Sequence, residues 1–313
     1  MGQPDLAVNS LTSHADVFAD IINAIIYEGR TVLNETCLKP FYVNSAVSKQ
    51  GKLKGLYRDT CMEDTRNGIR YVIWGIENQY VDDLTTPFKI MGYDFTAYDK
   101  QIEEFMRHNK QNGRDAYVQQ LHFDQKLKPV VTLVLYYGTK NIPDNICALM
   151  EMPEDTCVKR YIQNYHLNVI RLHTLTPAQA ALFQSDFAHI AKFLAKSYNK
   201  KEQIEYLMNS KQTVVHTKDT LYTLSAITGE PRYLTINETR KEKPAMCEVA
   251  EAIFQMGYNE RNNEIAKMDT IIKEKEAALA EKDAQIAKKE AALAEKDAQI
   301  AFLMEQLKLK SDF

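Results

Sequence analysis

The sequence predicts an α/β core followed by a helical region and a long C-terminal helix. Residues 69–79 and 129–138 are rich in β-branched and aromatic side chains, which are typical of strands in a buried sheet. Between these runs, residues 87–108 repeat apolar side chains at helical spacing. Residues 245–310 form one continuous helical pattern with no proline and a single glycine, Gly257.

The composition limits the class of function. The chain has 313 residues, of which 45% are apolar, enough for a sizeable core. It carries 39 Lys and Arg against 42 Asp and Glu, so bulk positive charge cannot bind nucleic acid and any such contact needs a local basic surface. The sequence contains no run of about 18 apolar residues, so we expect no membrane-spanning helix, and we expect no secretory signal. The five cysteines form no C-x-x-C pair, which favours a reducing cytoplasm.

From the N-terminus, we expect residues 1–12 to be a frayed start and residues 14–28 to form a helix with a broad apolar face. Residues 53–60 and 69–79 are predicted strands. The dipeptide Asn67-Gly68 between them is a strong signal for a tight hairpin turn, so the two strands should pair antiparallel.

The strand–helix–strand order over residues 69–138 implies a crossover connection and a parallel pairing. Residues 167–175 are a candidate for one more strand. Beyond them the pattern predicts helices at 177–198 and 201–209, followed by a polar stretch without a clear pattern to residue 243. The predicted domains are a core at 1–176, a helical region at 177–244 and a C-terminal helix at 245–313.

The C-terminal helix contains an exact internal repeat. Residues 276–287 read EAALAEKDAQIA, and residues 290–301 repeat the same letters, a period of two heptads. Large apolar residues recur every seven positions: Ile265, Ile272, Leu279, Ile286, Leu293, Ile300 and Leu307. This row predicts a coiled coil that joins copies of the chain, although half of its seam is charged, so the coil should be weak or partner-assisted. The alternative is a single solvated helix.

The stretch with the most chemical information lies on the predicted hairpin. Glu77 and Gln79 are two residues apart in one strand, so they face the same side of the sheet. Antiparallel pairing around the turn brings Asp59 roughly opposite Glu77. Two neighbouring carboxylates repel each other and are costly to desolvate, and a divalent cation relieves both costs. Magnesium takes few protein carboxylates, keeps waters and accepts phosphate oxygens, which indicates metal-assisted phosphodiester hydrolysis.

Three further segments accompany this pattern. Residues 18–23 read FADIIN in the first predicted helix, Asp59 is followed by GIENQ at 75–79 and PFKIMGYD at 87–94, and LKPVVTLVLYYG occupies 127–138. Together they resemble the Rpn family of recombination-promoting nucleases and putative transposases, which belongs to the PD-(D/E)XK nuclease superfamily. The resemblance covers about residues 10–175, and the helical region more loosely.

The resemblance implies a restriction-endonuclease-like core, dependence on Mg²⁺ or another divalent cation such as Mn²⁺ or Ca²⁺, and cleavage of DNA. Residue by residue, Asp59 and Glu77 take the metal-ligand positions. Gln79 takes the third catalytic position, where the wider superfamily has a lysine.

Other residues are accessory candidates. A neutral amide at position 79 cannot lend positive charge, so activity should be weak or rely on the metal and on another cation such as Lys89. Asp20, on the first helix, is a candidate accessory acid, and Arg58 is a candidate phosphate contact.

Three functions remain open at this stage. The first is a metal-dependent DNA endonuclease. The second is a catalytically weak or inactive nuclease fold that serves as a DNA-binding or coiled-coil assembly module, for which the glutamine at position 79 leaves room. The third is an oligomerising scaffold without DNA contact.

Overall fold

The computed structural model describes residues 3–42, 45–49, 52–56, 59–66, 69–113, 121–122, 124–195, 199–239 and 243–311. The chain divides into two units, Met1–Ile253 and Phe254–Phe313. The predicted boundaries after residues 176 and 244 do not coincide with this division. Helices of the 177–244 region pack against the N-terminal helices within the first unit, so the contacts do not separate the predicted core from the predicted helical region.

The described strands are β1 (Leu38–Pro40), β2 (Ser45–Lys49), β3 (Lys52–Leu56), β4 (Thr60–Arg66), β5 (Ile69–Gln79), β6 (Val130–Tyr136) and β7 (Asn168–Arg171). A five-stranded mixed sheet has the order β1-β4-β5-β6-β7, and β2 and β3 form a separate hairpin. Strand β4 pairs antiparallel with β1 and β5, whereas β6 is parallel to both β5 and β7.

The described helices are α1 (Gln3–Thr12), α2 (Ala15–Ile25), α3 (Thr86–Gln111), α4 (Thr156–Lys159), α5 (Pro177–Ala180), α6 (Phe187–Leu194), α7 (Lys200–Asn209), α8 (Thr217–Thr228), α9 (Arg232–Thr239) and α10 (Met246–Ser311). The prediction of a mixed α/β fold with a long C-terminal helix is therefore confirmed. The predicted strand at 69–79, the helix at 87–108 and the parallel pairing with the strand at 129–138 are confirmed as well.

The predicted strand at 53–60 is wrong in position. The partner of β5 is β4, which begins at Thr60, so Asp59 precedes a strand instead of ending one. The inward side chains of β4 are Thr60, Met62 and Asp64, and the last of these is an acid that pairs with Arg66. Two polar residues among three inward positions hide the strand from a search for apolar alternation. The Asn67-Gly68 dipeptide lies outside the described residues.

The N-terminal segment is helical, so the prediction of a frayed start is wrong. Helix α1 places Val8 and Leu11 in the core with no exposed surface, and it packs against α8, where Leu221 and Leu224 are also buried. The partner helix lies more than 200 residues away in sequence, so no local pattern could reveal this packing.

The helical region also differs from its prediction. The single helix expected at 177–198 is interrupted, because α5 ends at Ala180 and α6 begins at Phe187. The polar stretch expected before residue 243 contains helices α8 and α9. These helices bury few side chains each, so their apolar periodicity is weak in sequence.

The two faces of β5 meet different helices. Ile73 packs with Ala97 of α3, and the alternation of a strand places Glu77 and Gln79 on the same face as Ile73. Asn78 faces the opposite side, where its amide bonds to Asn9 and Thr12 of α1. The last residues of β5 therefore contact both helical layers.

A cluster of two histidines and two aspartates joins the N-terminal helices to α8. The rings of His14 and His216 stack with centroids 3.7 Å apart, and they bond to Asp219 and Asp16 at 2.7 and 2.9 Å respectively. Burial opposes ionisation of Asp16, but the hydrogen bond and the charge attraction from His216, together with backbone hydrogen bonds, outweigh it and lower the pKa of Asp16 below its usual 3.8.

This shift predicts acid sensitivity. Because the folded-state pKa of Asp16 is lowered, its ionised form stabilises the fold above pH 3.8, and this stability is lost as the pH falls through the folded-state value. We expect Asp16→Asn to lower the urea midpoint at pH 7 and to have a progressively smaller effect below pH 3.8. A difference in midpoint that stays constant across this range would contradict the role of Asp16.

Helix α10 changes its environment along its length. Met246 and Val249 at its start are fully buried, whereas the large apolar side chains from Phe254 onward are more than half exposed wherever they are described, except that of Met256. Among the described residues, no helix combines the length and apolar character that crossing a membrane requires.

Candidate active site

The hairpin register brings Asp59 and Glu77 to equivalent positions. Thr60 of β4 pairs with Ile76 of β5. Because the strands are antiparallel, the residue before Thr60 corresponds to the residue after Ile76, which matches Asp59 with Glu77. Extended by one residue beyond the last strand pair, the register places Asp59, which lies just outside β4, opposite Glu77. The backbone amide of Asn78 donates to Asp59 Oδ2 at 2.8 Å, which ties this carboxylate to the end of β5.

A cavity of about 550 Å³ opens at this end of the sheet. It is lined by four residues that the sequence analysis selected, namely Asp59, Glu77, Gln79 and Lys89. The remaining lining residues are Asn78, Tyr80, Val81, Asp82, Asp83 and Tyr93. Glu77 and Gln79 are each only 6% exposed, so their head groups face a confined space.

Asparagine side chains orient the Asp59 carboxylate. Asn9 of α1 donates to Asp59 Oδ1 at 2.7 Å, and its own amide oxygen accepts from Asn78 at 2.8 Å. Tyr137 in turn donates to the amide oxygen of Asn78 at 3.0 Å. Burial raises the pKa of the Tyr137 phenol, and the nearby Tyr80 and Asp59 add to that effect, so Tyr137 remains a donor. The carboxylate of Asp59 is thus held by Asn9 of α1 and by the backbone amide of Asn78 in β5.

The side chain of Gln79 is engaged with its own chain. Its amide nitrogen donates to the carbonyl of Val81, and its amide oxygen accepts from the Thr86 hydroxyl at 3.1 Å. These bonds join the end of β5 to the start of α3. The amide oxygen keeps one lone pair with which it can accept a hydrogen bond from a water.

The rim of the cavity is acidic and locally paired. Lys89 binds Asp83 at 2.6 Å. Burial opposes ionisation of Asp83, but the hydrogen bonds from Lys89 and Thr85 and the charge of Lys89 together outweigh it and lower the pKa of Asp83 to about 2. Asp82 accepts from Lys140 and from Tyr136, and the hydrogen bond from Lys140 lowers the pKa of Asp82. The predicted cation Lys89 therefore reaches the cavity with its ammonium group held by Asp83.

Two predicted accessory residues do not join this group. Asp20 lies on α2, and its carboxylate accepts from the backbone amides of Gln184 and Ser185 and from the Ser185 hydroxyl at 2.7–3.0 Å. It is not among the lining residues of the cavity. Arg58 lies outside the described residues.

The contacts of Asp20 predict a structural role. Replacing Asp20 with asparagine removes a charged acceptor for three donors just before α6, so we expect a loss of about 1–2 kcal/mol in the free energy of unfolding. Urea denaturation measures this loss. A fall in the activity of the folded protein, with unchanged stability, would contradict the structural role.

The contacts of Asn9 predict a positioning role. Asn9→Ala removes a donor to Asp59 and an acceptor for Asn78, so we expect about a tenfold loss of any activity that depends on Asp59. The control is Asn23→Ala in α2, because Asn23 is likewise a hydrogen-bonded asparagine in an N-terminal helix and bonds to the backbone of Val32 and Leu33. That variant should lose stability and keep the activity of its folded fraction; equal activity losses in both variants would contradict the role of Asn9.

Asn9, Asn78 and the pair Asp82-Asp83 were missed from sequence. A signal existed for the aspartates, since polar residues directly after a buried strand lie at a sheet edge. None existed for Asn9, because its partners Asp59 and Asn78 lie 50 and 69 residues away.

The donor set at the cavity fits a hard divalent cation. The predicted site residues contribute the carboxylates of Asp59 and Glu77 and the amide oxygen of Gln79 to its lining. Within the described parts of the chain, no group of three or more His, Cys, Asp or Glu side chains is arranged to hold a metal. Magnesium is compatible with this limit, because it is commonly held by one or two carboxylates while waters and phosphate oxygens complete its shell.

Comparison of the chain with protein-family models, with curated proteins and with solved structures finds no match.

Proposed function

We propose that the protein is a metal-dependent DNA endonuclease of the recombination-promoting, PD-(D/E)XK type. The observation that carries the proposal is the convergence of Asp59, Glu77 and Gln79 on one cavity, with Asp59 opposite Glu77 in the hairpin register. The antiparallel pair β4–β5 beside the parallel strand β6 also suits this superfamily core. The proposal includes a cytoplasmic location.

In this proposal Asp59 and Glu77 hold a divalent cation, Mg²⁺ or a substitute such as Mn²⁺ or Ca²⁺. The cation supplies a Lewis acid for the phosphodiester and lowers the pKa of a bound water. Asn9 and the Asn78 amide keep the Asp59 carboxylate pointed at the cavity, and burial of Glu77 limits competing water. The Gln79 amide oxygen positions a water by accepting a hydrogen bond.

A second candidate has its own support. The side chain of Gln79 bonds to Val81 and Thr86 and carries no charge, so the third catalytic position lacks the cation that accelerates cleavage elsewhere in the superfamily. The same fold would then serve as a catalytically weak or inactive module for DNA binding or assembly. Self-association through α10 belongs to both candidates.

A plasmid-nicking assay with Mg²⁺ and with Mn²⁺ tests the proposal and separates the candidates. The endonuclease predicts nicking that stops on addition of EDTA. Salt-sensitive retention on DNA without nicking under either metal would favour the inactive module. If the protein neither nicks DNA nor is retained on it, the third function, an oligomerising scaffold that does not contact DNA, is favoured.

A further inference from the structure

The exposed face of α10 carries one row of large apolar side chains. Ile265, Ile272, Leu279, Ile286, Leu293 and Ile300 follow one another at seven-residue intervals and are 51–64% exposed. Seven residues make two turns of a supercoiled helix, so the row stays on one side of the helix for its whole length. An exposed row this long is typical of a surface that another helix covers.

Opposite charges flank this row on its two sides. The positions three residues after the apolar residues are Lys275, Lys282, Lys289 and Lys296, and the next positions are Glu276, Asp283, Glu290 and Asp297. At about 103° per residue in a heptad repeat, the lysines lie about 51° to one side of the row and the acids about 51° to the other. All of these side chains are exposed.

These charges have almost no partners along their own helix. Ion pairs within a helix form between residues three or four apart. Around the lysine row and the acidic row, those positions hold Ala, Gln, Leu or Ile; the exception is Glu276, which has Lys273 three residues before it. A charged helix that stands alone in water is normally supported by many such pairs, so this pattern disfavours the single solvated helix.

The order of the rows selects one orientation for a second copy. When two identical helices pair in parallel about a twofold axis along their length, the left flank of one lies beside the right flank of the other. Lysines then face acids on both sides of the apolar row. In an antiparallel pair each flank faces the same flank of the other copy, which places lysines beside lysines and acids beside acids.

We propose that α10 binds α10 of a second copy of this chain as a parallel, in-register pair through the Ile/Leu row. Lys282 of one copy then faces Asp283 of the other, since neighbouring residues differ in height by only about 1.5 Å. The inference does not depend on the proposed nuclease activity.

The ends of the row determine the register. After Ile300, the flanking positions change from lysine and acid to Leu303 and Met304, which are 57% and 63% exposed. In register, these apolar residues face each other across the pair. A shift of one heptad would place Leu303 and Met304 beside Lys296 and Asp297 of the other copy. The in-register pair is therefore favoured over the shifted pair, although the heptads repeat.

A row-swapped chain tests the orientation. It carries glutamate at the four lysine positions and lysine at the four acidic positions, so net charge and apolar row are unchanged. Parallel pairing predicts that wild type and row-swapped chains each have twice the chain mass of 36.0 kDa, and that mixing them gives about tenfold less heterodimer than statistical mixing. Native mass spectrometry with a tag on one chain measures this. Preferential heterodimer formation would show antiparallel pairing and overturn the proposal.

A second pair of variants tests the surface. Lys282→Glu with Lys289→Glu places acids on both flanks, so the dimer should be about tenfold weaker in sedimentation equilibrium. The control, Lys267→Glu with Lys288→Glu, makes the same charge change two residues after a row residue, on the side of the helix away from the row, and should leave the dimer intact. Circular dichroism checks that both remain helical. Equal weakening by both, or a wild-type monomer, would overturn the proposal.

Discussion

Replacing Asp59 with asparagine should abolish metal-dependent nicking of plasmid DNA, with a loss of about 10²–10³-fold in rate. The amide has the shape of the carboxylate but no charge, so it removes one of two anionic ligands for the cation. The fold should persist, because the remaining side-chain oxygen still accepts from one of the two donors, Asn9 or the Asn78 amide, and only the other donor loses its acceptor. Initial rates of supercoiled-plasmid loss in Mg²⁺ measure the effect.

Asp20→Asn is the matched control for this experiment. It makes the same chemical change to a carboxylate that also accepts several hydrogen bonds, but Asp20 bonds to Gln184 and Ser185 and does not line the cavity. We expect its folded fraction to nick DNA at the wild-type rate. Nicking by Asp59→Asn at the wild-type rate would remove Asp59 from the active site.

Glu77→Gln should cause the second large loss, again of about 10²-fold, with part of the activity recovered at high metal concentration. Glu77 is almost fully buried at the cavity, so its charge contributes strongly to holding a cation there. The measurement is the nicking rate as a function of Mn²⁺ concentration, where the half-maximal concentration should rise.

Glu63→Gln on the neighbouring strand provides the control for Glu77. Glu63 pairs with Arg70 and does not line the cavity, so its loss should affect stability and leave the metal dependence unchanged. The same metal requirement in wild type and Glu77→Gln would contradict a ligand role for Glu77.

Local patterns in the sequence predicted most of the central sheet. Strand β5 is rich in aromatic and β-branched residues, strand β6 is an apolar run, and α3 between them has clear helical spacing, so each element can be recognised without knowledge of its partners. Strand β4 could not be recognised in this way, because Thr60 and Asp64 point inward and Asp64 is stabilised by Arg66. Its stability depends on an ion pair within the fold.

The location of the candidate side chains could be predicted even though the strand before the turn, expected at 53–60, begins at Thr60. The separation of Asp59 and Glu77 around the turn and the period of two along β5 were sufficient to place three side chains at one end of the sheet. The residues that orient these side chains from the neighbouring helix α1 could not be predicted. Asn9 orients Asp59 only because α1 packs on β5, and that packing depends on α8, far along the chain.

Equilibrium binding of Mn²⁺ tests the central claim most directly, since it does not depend on finding the right DNA. Calorimetric titration of wild type should show one bound ion per chain, and both Asp59→Asn and Glu77→Gln should lose most of that affinity while Asp20→Asn keeps it. Absence of binding to wild type, or equal binding to all four proteins, would contradict a shared cation site at Asp59 and Glu77.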